Sequence, residues 1–178
     1  DLLQDLLAYS RVNTRAMPLA PTDTNEALTD VLANLKLAIE DAGAVVTHDP
    51  LPTVMADATQ LMQLLQNLIA NAIKFSAKDP RIEILAKDEG DSVSISISDN
   101  GVGIEEQALT HIFQKFYRAE SQAGKRPGLG IGLYLVQKLV ELHRGEINVA
   151  SKLNEGTTFT LTFPKMKVAQ TLSQIAQA

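Results

Sequence analysis

The sequence predicts an α+β domain, on three observations. Two pairs of period-two stretches, 81–87 with 91–98 and 146–151 with 157–163, are each joined by a short glycine-bearing turn, Glu89-Gly90 and Asn154-Glu155-Gly156. Stretches of 3.6-residue period and helical length lie between the strands, over about 23–41, 57–77 and from 132 onward. The 178 residues, 45% of them hydrophobic, suffice for one full core with an appendage.

Composition narrows the function classes. The formal net charge is −5 and no lysine or arginine cluster stands out, so the chain lacks the basic stripe that nucleic-acid binding requires. Cysteine is absent, which excludes disulfides and thiolate metal sites. No apolar run reaches the roughly 18 residues of a membrane span, and no signal peptide opens the chain. These features read as a soluble, cytoplasmic piece without membrane contact.

Each element has a local reason. Leu2, Leu3, Leu6, Leu7 and Val12 set a helical pattern over 1–15 that is too short to stand alone and reads as the end of a longer helix. Pro18 and Pro21 stop it and mark a linker or an edge strand. Asp23, Thr24 or Asn25 caps a helix to about Asp41, with Leu28, Val31, Leu32, Leu35 and Ile39 inward and Gly43 at its end. A strand pair over 44–48 and 53–56 is expected next, divided by Pro50 and Pro52. Asp57 caps a long helix to about Ala77 whose apolar face is Leu61, Leu64, Leu65, Leu68, Ala72 and Ile73. After 105–118 comes Ala119–Pro127, which has no periodicity and reads as a mobile loop. Gly128-Leu129-Gly130-Ile131-Gly132-Leu133 then opens a helix whose apolar positions are Leu135, Val136, Leu139, Val140 and Leu142, ended by Gly145. Residues 166–178 form a polar tail.

Three stretches carry chemistry. The run Ser92–Ser98 alternates serine with Val93, Ile95 and Ile97, then stops at Asp99 before Asn100-Gly101-Val102-Gly103-Ile104. This fixes a carboxylate at a strand end beside a loop without side chains, where an exocyclic amine can donate and a flat ring can approach. The long helix also bears a polar stripe, Gln60, Gln63, Asn67, Asn71, Lys74 and Lys78, stepping by three and four residues along one side. Two asparagines one turn apart are poor helix formers and call for a use. The glycine-rich helix start at 128–132 offers unpaired backbone N–H groups to phosphate. The stretch matches neither G-x-x-x-x-G-K-[ST] nor G-x-G-x-x-G, and no H-R-D or D-F-G occurs.

Taken together the landmarks resemble the sensor histidine kinases. Asn67-x-x-x-Asn71-x-x-Lys74-Phe75 is similar to their asparagine box, and Asp99-x-Gly101-x-Gly103 to the first glycine box. Phe113-x-x-Phe116 resembles the phenylalanine box, and Gly128-x-Gly130-x-Gly132 the second glycine box. Order and spacing agree from about residue 17 to 164, and Asn154–Phe159 is similar to the closing hairpin of that family. Residues 1–16 resemble the end of the dimerisation and phosphoacceptor helix with its linker, which leaves 17–165 as the catalytic ATP-binding domain and 166–178 as a tail.

The resemblance implies an α/β sandwich, a mixed and mainly antiparallel sheet with helices on one face. It implies ATP and Mg²⁺ as cofactors. Asp99 would take the adenine amino group, with Gly101 and Gly103 leaving room for the base. Asn71 would give its amide oxygen to Mg²⁺ and Asn67 would support the metal–phosphate assembly. Lys74 would neutralise phosphate, Phe75 would line the pocket, and Gly128, Gly130 and Gly132 would cradle phosphates. Ile104, Phe116 and Leu133 complete the expected contacts, while Phe113, Phe116, Tyr117 and Arg118 would orient the lid or fill the core. Asn67, Asn71 and Lys74 are the expected catalytic set. The implied partners are a histidine-bearing dimerisation domain, a response regulator and, in the full-length protein, a second copy, with the fragment alone allowed to be monomeric.

The chain departs from the family in its histidines. His48, His111 and His143 are the three present, and none has the setting of a phosphoacceptor helix. The acceptor is therefore expected before residue 1. An ATP-driven clamp of the gyrase and heat-shock chaperone type would need a glutamate as general base at position 67, where this chain has asparagine. A serine kinase of the anti-sigma type and a nucleotide-binding scaffold without transfer are the remaining alternatives.

Overall fold

The computed structural model describes residues 18–76, 79–118 and 129–165. The expected N-terminal helix, Lys78, the loop at 119–127, Gly128 and the tail at 166–178 lie outside the described residues.

The described residues open with strand β1 (Ala20–Asp23), the edge strand that is one of the two readings of Pro18 and Pro21. Asp23 caps helix α1 (Thr24–Asn34), its carboxylate accepting the Asn25 N–H at 2.8 Å. The single helix expected to Asp41 is divided at Leu35, and α2 (Lys36–Ala42) follows. Leu35 has φ −93° and ψ 3°, off helical values, so its N–H is shared between the Ala33 and Val31 carbonyls. Beyond the break α2 has no fully buried residue, so little packing holds it on the α1 axis. Gly43, at φ 62°, terminates α2 as the sequence indicated.

Strands β2 (Val45–His48) and β3 (Thr53–Ala56) form where expected but do not pair with each other. β2 runs parallel to β4 (Arg81–Asp88), whereas β3 pairs antiparallel with β1. The Pro50–Pro52 segment makes the division. Leu51 between the prolines is buried, and its backbone is held on both sides by the Asn25 amide, at 2.8 and 2.7 Å. The chain therefore crosses from one sheet to the other instead of turning back as a hairpin.

The main sheet has the order β2-β4-β5-β7-β6, with β5 (Ser92–Asp99), β6 (Glu146–Lys152) and β7 (Gly156–Pro164). Apart from the β2–β4 pair its ladders are antiparallel. One face carries Ile84, Ile95, Ile97, Phe159 and Leu161 into a core shared with the helices. The other presents Ser94, Ser96 and Ser98 opposite Thr162, Thr160 and Thr158. Helix α3 (Ala58–Phe75) lies at the centre of the helical layer, between α1 and α5 (Gly132–Leu142). It buries Leu61, Leu64, Leu65, Leu68 and Ile69, each worth about 1.5–3 kcal/mol of transfer free energy. A short α4 (Glu106–Leu109) follows the Asp99 loop.

Two details of α5 differ from expectation. Leu142, expected as part of its apolar face, is an exposed large hydrophobic residue. The left-handed residue after the helix is Arg144 at φ 57°, not Gly145. Gly145 serves close packing instead, since a Cβ there would sit 2.6 Å from the Thr162 carbonyl oxygen.

Candidate nucleotide site

The first part of the site grows from the end of β5. Alternation carries Val93, Ile95 and Ile97 into the core and leaves Asp99 half-buried as the last strand residue. The Gly101 N–H donates to Asp99 Oδ1 at 2.8 Å, and the Val102 N–H donates to the Phe75 carbonyl at 3.1 Å. The loop is thus tied to the end of α3. A Cβ on Gly101 would lie 2.7 Å from both Asp99 Oδ1 and the Phe75 carbonyl oxygen. Gly103, at φ 68°, turns its backbone against the Lys152 carbonyl with no room for a side chain.

Burial pushes the Asp99 carboxyl above its ordinary range, with the Gly101 and Thr157 backbone N–H groups pulling it partly back. A carboxyl whose folded pKa is raised favours the folded chain in its protonated form. That contribution is full below the ordinary aspartate range and is lost as pH climbs through the raised value. The ionised carboxylate presents acceptors at both oxygens.

The second part grows from α3. Asn67 and Asn71 stand one turn apart on its polar stripe, both half-buried. Asn67 Nδ2 donates to the Gln63 carbonyl at 2.8 Å. Gly132, the first residue of α5, meets them: a Cβ there would lie 3.3 Å from Asn67 Oδ1 and 3.8 Å from Asn71 Nδ2. Ile131 at the N-cap makes no side-chain cap, so it leaves the first-turn N–H groups of α5 to other acceptors. Lys74 Nζ stands 5.1 Å from the Phe75 ring centroid. From Asn67 to Phe75 is about 12 Å of helix, so one rigid element spaces the two parts of the site.

Further expected residues fall around these. Ile104 and Leu133 are partly buried against the core. The phenylalanine box divides: Phe113 packs edge-on to Phe159 at 6.4 Å, whereas Phe116 is 58% exposed at φ 66°. Phe116 donates its N–H to the Gly130 carbonyl at 3.0 Å, which ties this segment to the second glycine box. Gly130, at φ 70°, abuts the Tyr117 carbonyl. Gly128 lies outside the described residues.

Sequence reasoning missed Ser151, Thr157 and Gly156 as supports of the site. The Ile104 N–H donates to Ser151 Oγ at 2.9 Å, and that hydroxyl lies 2.9 Å from both the Gly156 carbonyl oxygen and Thr157 Oγ1. Gly156, at φ 115°, packs directly on the Asp99 carbonyl. The turn-forming Asn154-Glu155-Gly156 was visible as a turn, but nothing in the sequence marks it as a neighbour of Asp99.

The three histidines stand as expected, in structural or surface settings. His48 is exposed with Nδ1 2.9 Å from the Asp49 carbonyl, His111 contacts the Gln114 amide at 2.8 Å, and His143 is buried. Among the described residues no group of three or more His, Cys, Asp or Glu could hold a metal ion. The amide oxygens of Asn67 and Asn71 are hard donors of the kind that magnesium accepts. Among the same residues no helix is long and apolar enough to cross a membrane.

Comparison with known proteins bears on the family and the fold. Residues 56–167 match the family model described as histidine kinase-, DNA gyrase B-, and HSP90-like ATPase. The catalytic domain of the histidine kinase ThkA superposes with a TM-score of 0.72 at 26% identity, covering 85% of this chain and 100% of that one. Full-length ShkA in complex with AMPPNP gives 0.75 at 28% identity over 91% of this chain and 35% of that one. Cyanobacterial phytochrome A of Nostoc sp. is 48% identical over 164 residues, 92% of this chain and 21% of that protein. The chain thus spans about a fifth of the length of this relative and of a second cyanobacterial one, 21% and 22% respectively.

Proposed function

The chain belongs to the histidine kinase-, DNA gyrase B- and HSP90-like ATPase family, as a catalytic domain of the histidine kinase type, and we propose that it binds ATP with Mg²⁺ and transfers the γ-phosphate to a histidine outside these 178 residues. The observation that carries this reading is the meeting of Gly132 with Asn67 and Asn71 at one part of the site while Asp99 and Gly101 form the other. Asp99 accepts from the adenine amine, and the bare backbone at Gly101 and Gly103 admits the ring. The first-turn N–H groups of α5 and the Lys74 ammonium face the phosphates, and the Asn71 amide oxygen is the protein ligand for Mg²⁺. When bound, Mg²⁺ offsets the charge that builds on the transferred phosphoryl group.

The amide at position 67 supports an acceptor other than water. It has no basic oxygen with which to activate water, and its nitrogen already donates to the Gln63 carbonyl. Transfer then suits an acceptor that is itself nucleophilic, such as an imidazole nitrogen, which forms an N–P bond as the bond to the leaving ADP oxygen breaks. Relatives roughly four times the length of this chain have room for such a segment. In this reading 1–16 ends the acceptor helix, 17–165 is the catalytic domain, and the working protein is a cytoplasmic homodimer passing phosphate to a response-regulator aspartate.

Nucleotide titration tests the site. ATP with Mg²⁺ is expected to bind the parent chain, and Asp99→Asn, which turns one acceptor oxygen into a donor facing the adenine amine, to bind about tenfold more weakly or worse. His48→Ala is expected to match the parent. Equal affinity of Asp99→Asn and the parent contradicts the adenine assignment.

A further inference from the structure

Gly132 and the two asparagines meet at one end of the α3–α5 pair, and the opposite end is fastened by a residue that has no part in the site. His143, the residue after α5, is 2% exposed. Its Nδ1 lies 2.6 Å from the Leu139 carbonyl oxygen, and its Nε2 accepts the Asp57 backbone N–H at 3.1 Å. A carbonyl can only accept and a backbone N–H can only donate, so the two partners require the neutral imidazole with its proton on Nδ1. Asp57 is in turn the N-cap of α3, accepting the Thr59 and Gln60 N–H groups. The ring therefore joins the end of α5 to the residue that begins α3, with Phe163 edge-on at 6.3 Å.

The spacing along the two helices gives this contact a consequence. From Asp57 to Asn67 and Asn71 is 10 and 14 residues, about 15–21 Å of helix, and from Gly132 to His143 is 11 residues, about 16–17 Å. Fastened at His143, α5 delivers its start level with Asn67 and Asn71. The apolar face of α5 is Leu135, Val136, Leu139 and Val140, buried aliphatic side chains whose attraction to their surroundings is non-directional. The hydrogen bond from Asp57 adds a directional contact that favours one alignment of α5 on α3. A slip of one residue moves Gly132 by about 1.5 Å along the axis, enough to misplace the first-turn N–H groups.

We propose that His143 is a positioning residue for the phosphate end of the site: it sets the register of α5 against α3 and so the placement of the α5 N-terminus beside Asn71. This rests on the nucleotide reading above. The base end, built on β5 and the Asp99 loop, does not depend on that register. Loss of the contact should therefore separate the two ends, which a general loss of structure would not do.

The test compares ATP with adenosine on the 178-residue chain. His143→Gln places a carbonyl at about the reach of Nε2 and keeps an acceptor for Asp57, whereas His143→Asn reaches only toward Leu139. His143→Asn is expected to weaken ATP about tenfold and adenosine less than about twofold, with His143→Gln close to the parent for both. A parallel loss for ATP and adenosine in His143→Asn, or no loss for either, overturns the assignment. A measurement on the parent decides the matter even if His143→Asn fails to fold. By reciprocity of coupling, ATP must slow hydrogen exchange at the Asp57 amide and adenosine must not; equal slowing by both, or by neither, overturns it. A parent chain that does not bind ATP overturns the site reading itself, whereas a parent that binds ATP with variants of unchanged ATP-to-adenosine ratio removes only the role of His143.

Discussion

Asn71→Ala is expected to reduce phosphate transfer to a separately supplied histidine-bearing helical hairpin by about 10²–10³ or more while leaving the melting temperature unchanged or higher. The size follows from removing one preorganised contact at the site of charge development. The sparing of stability follows from position. Asn71 is half-buried on the polar side of α3, and alanine is the better helix former by a few tenths of a kcal/mol. Acid-labile phosphate incorporation from labelled ATP, read beside a thermal melt, checks both halves. Transfer within about tenfold of the parent contradicts the metal–phosphate role of Asn71.

Gly156→Ala is expected to damage fold and site together. Gly156 sits at φ 115°, and its added Cβ would fall on the Asp99 carbonyl oxygen and 3.1 Å from the Asn100 Cα. The obstruction is backbone, so no side chain can swing away. A cost of about 3 kcal/mol is expected, which for a chain of this size lowers the melting temperature by about 6–12 °C. Asp99 must shift to relieve the clash, so ATP affinity falls with it. Gly90→Ala is the control, because Gly90 has φ 85° with open space around its Cβ position. It carries the strain of a positive φ without the collision, at about 1 kcal/mol. If the two variants melt alike, close packing of Gly156 on Asp99 is not what its conformation serves.

The parts of this site that could be read from sequence are those written in local periodicity. Serine alternation showed which way Asp99 would be carried, and the three-and-four spacing of Asn67, Asn71 and Lys74 showed one helix side. Both elements formed with nearly the expected bounds because burial of one face enforces the period. What stayed hidden depends on contacts between distant residues. β2 and β3 were correctly placed as strands, but their partners are β4 and β1, and no local pattern chooses between a neighbour and a strand tens of residues away. The support of Asp99 by Gly156 joins residues 57 positions apart, and the His143–Asp57 bond joins residues 86 apart. The phenylalanine box shows the same limit, since Phe113 and Phe116 share a motif yet one packs on Phe159 and the other faces outward. Leu35 is a milder case: its apolar character fitted the helical stripe, but α2 beyond it has no fully buried residue to keep the helix continuous.

The central claim is that this chain supplies ATP handling and not the acceptor, and labelling with γ-phosphate-labelled ATP and Mg²⁺ tests it most directly. Transfer requires an acceptor nitrogen about 3–3.5 Å from the γ-phosphorus and in line with the leaving oxygen. His48 lies on the exposed end of β2, His111 beside Gln114, and His143 is held between Leu139 and Asp57, and none of the three is expected to meet that requirement. The chain alone is expected to bind ATP and acquire no acid-labile phosphate, and addition of a histidine-bearing helical hairpin on which it can dock is expected to produce a label confined to the hairpin. Acid-labile phosphate on His48, His111 or His143 of the isolated chain would contradict the account.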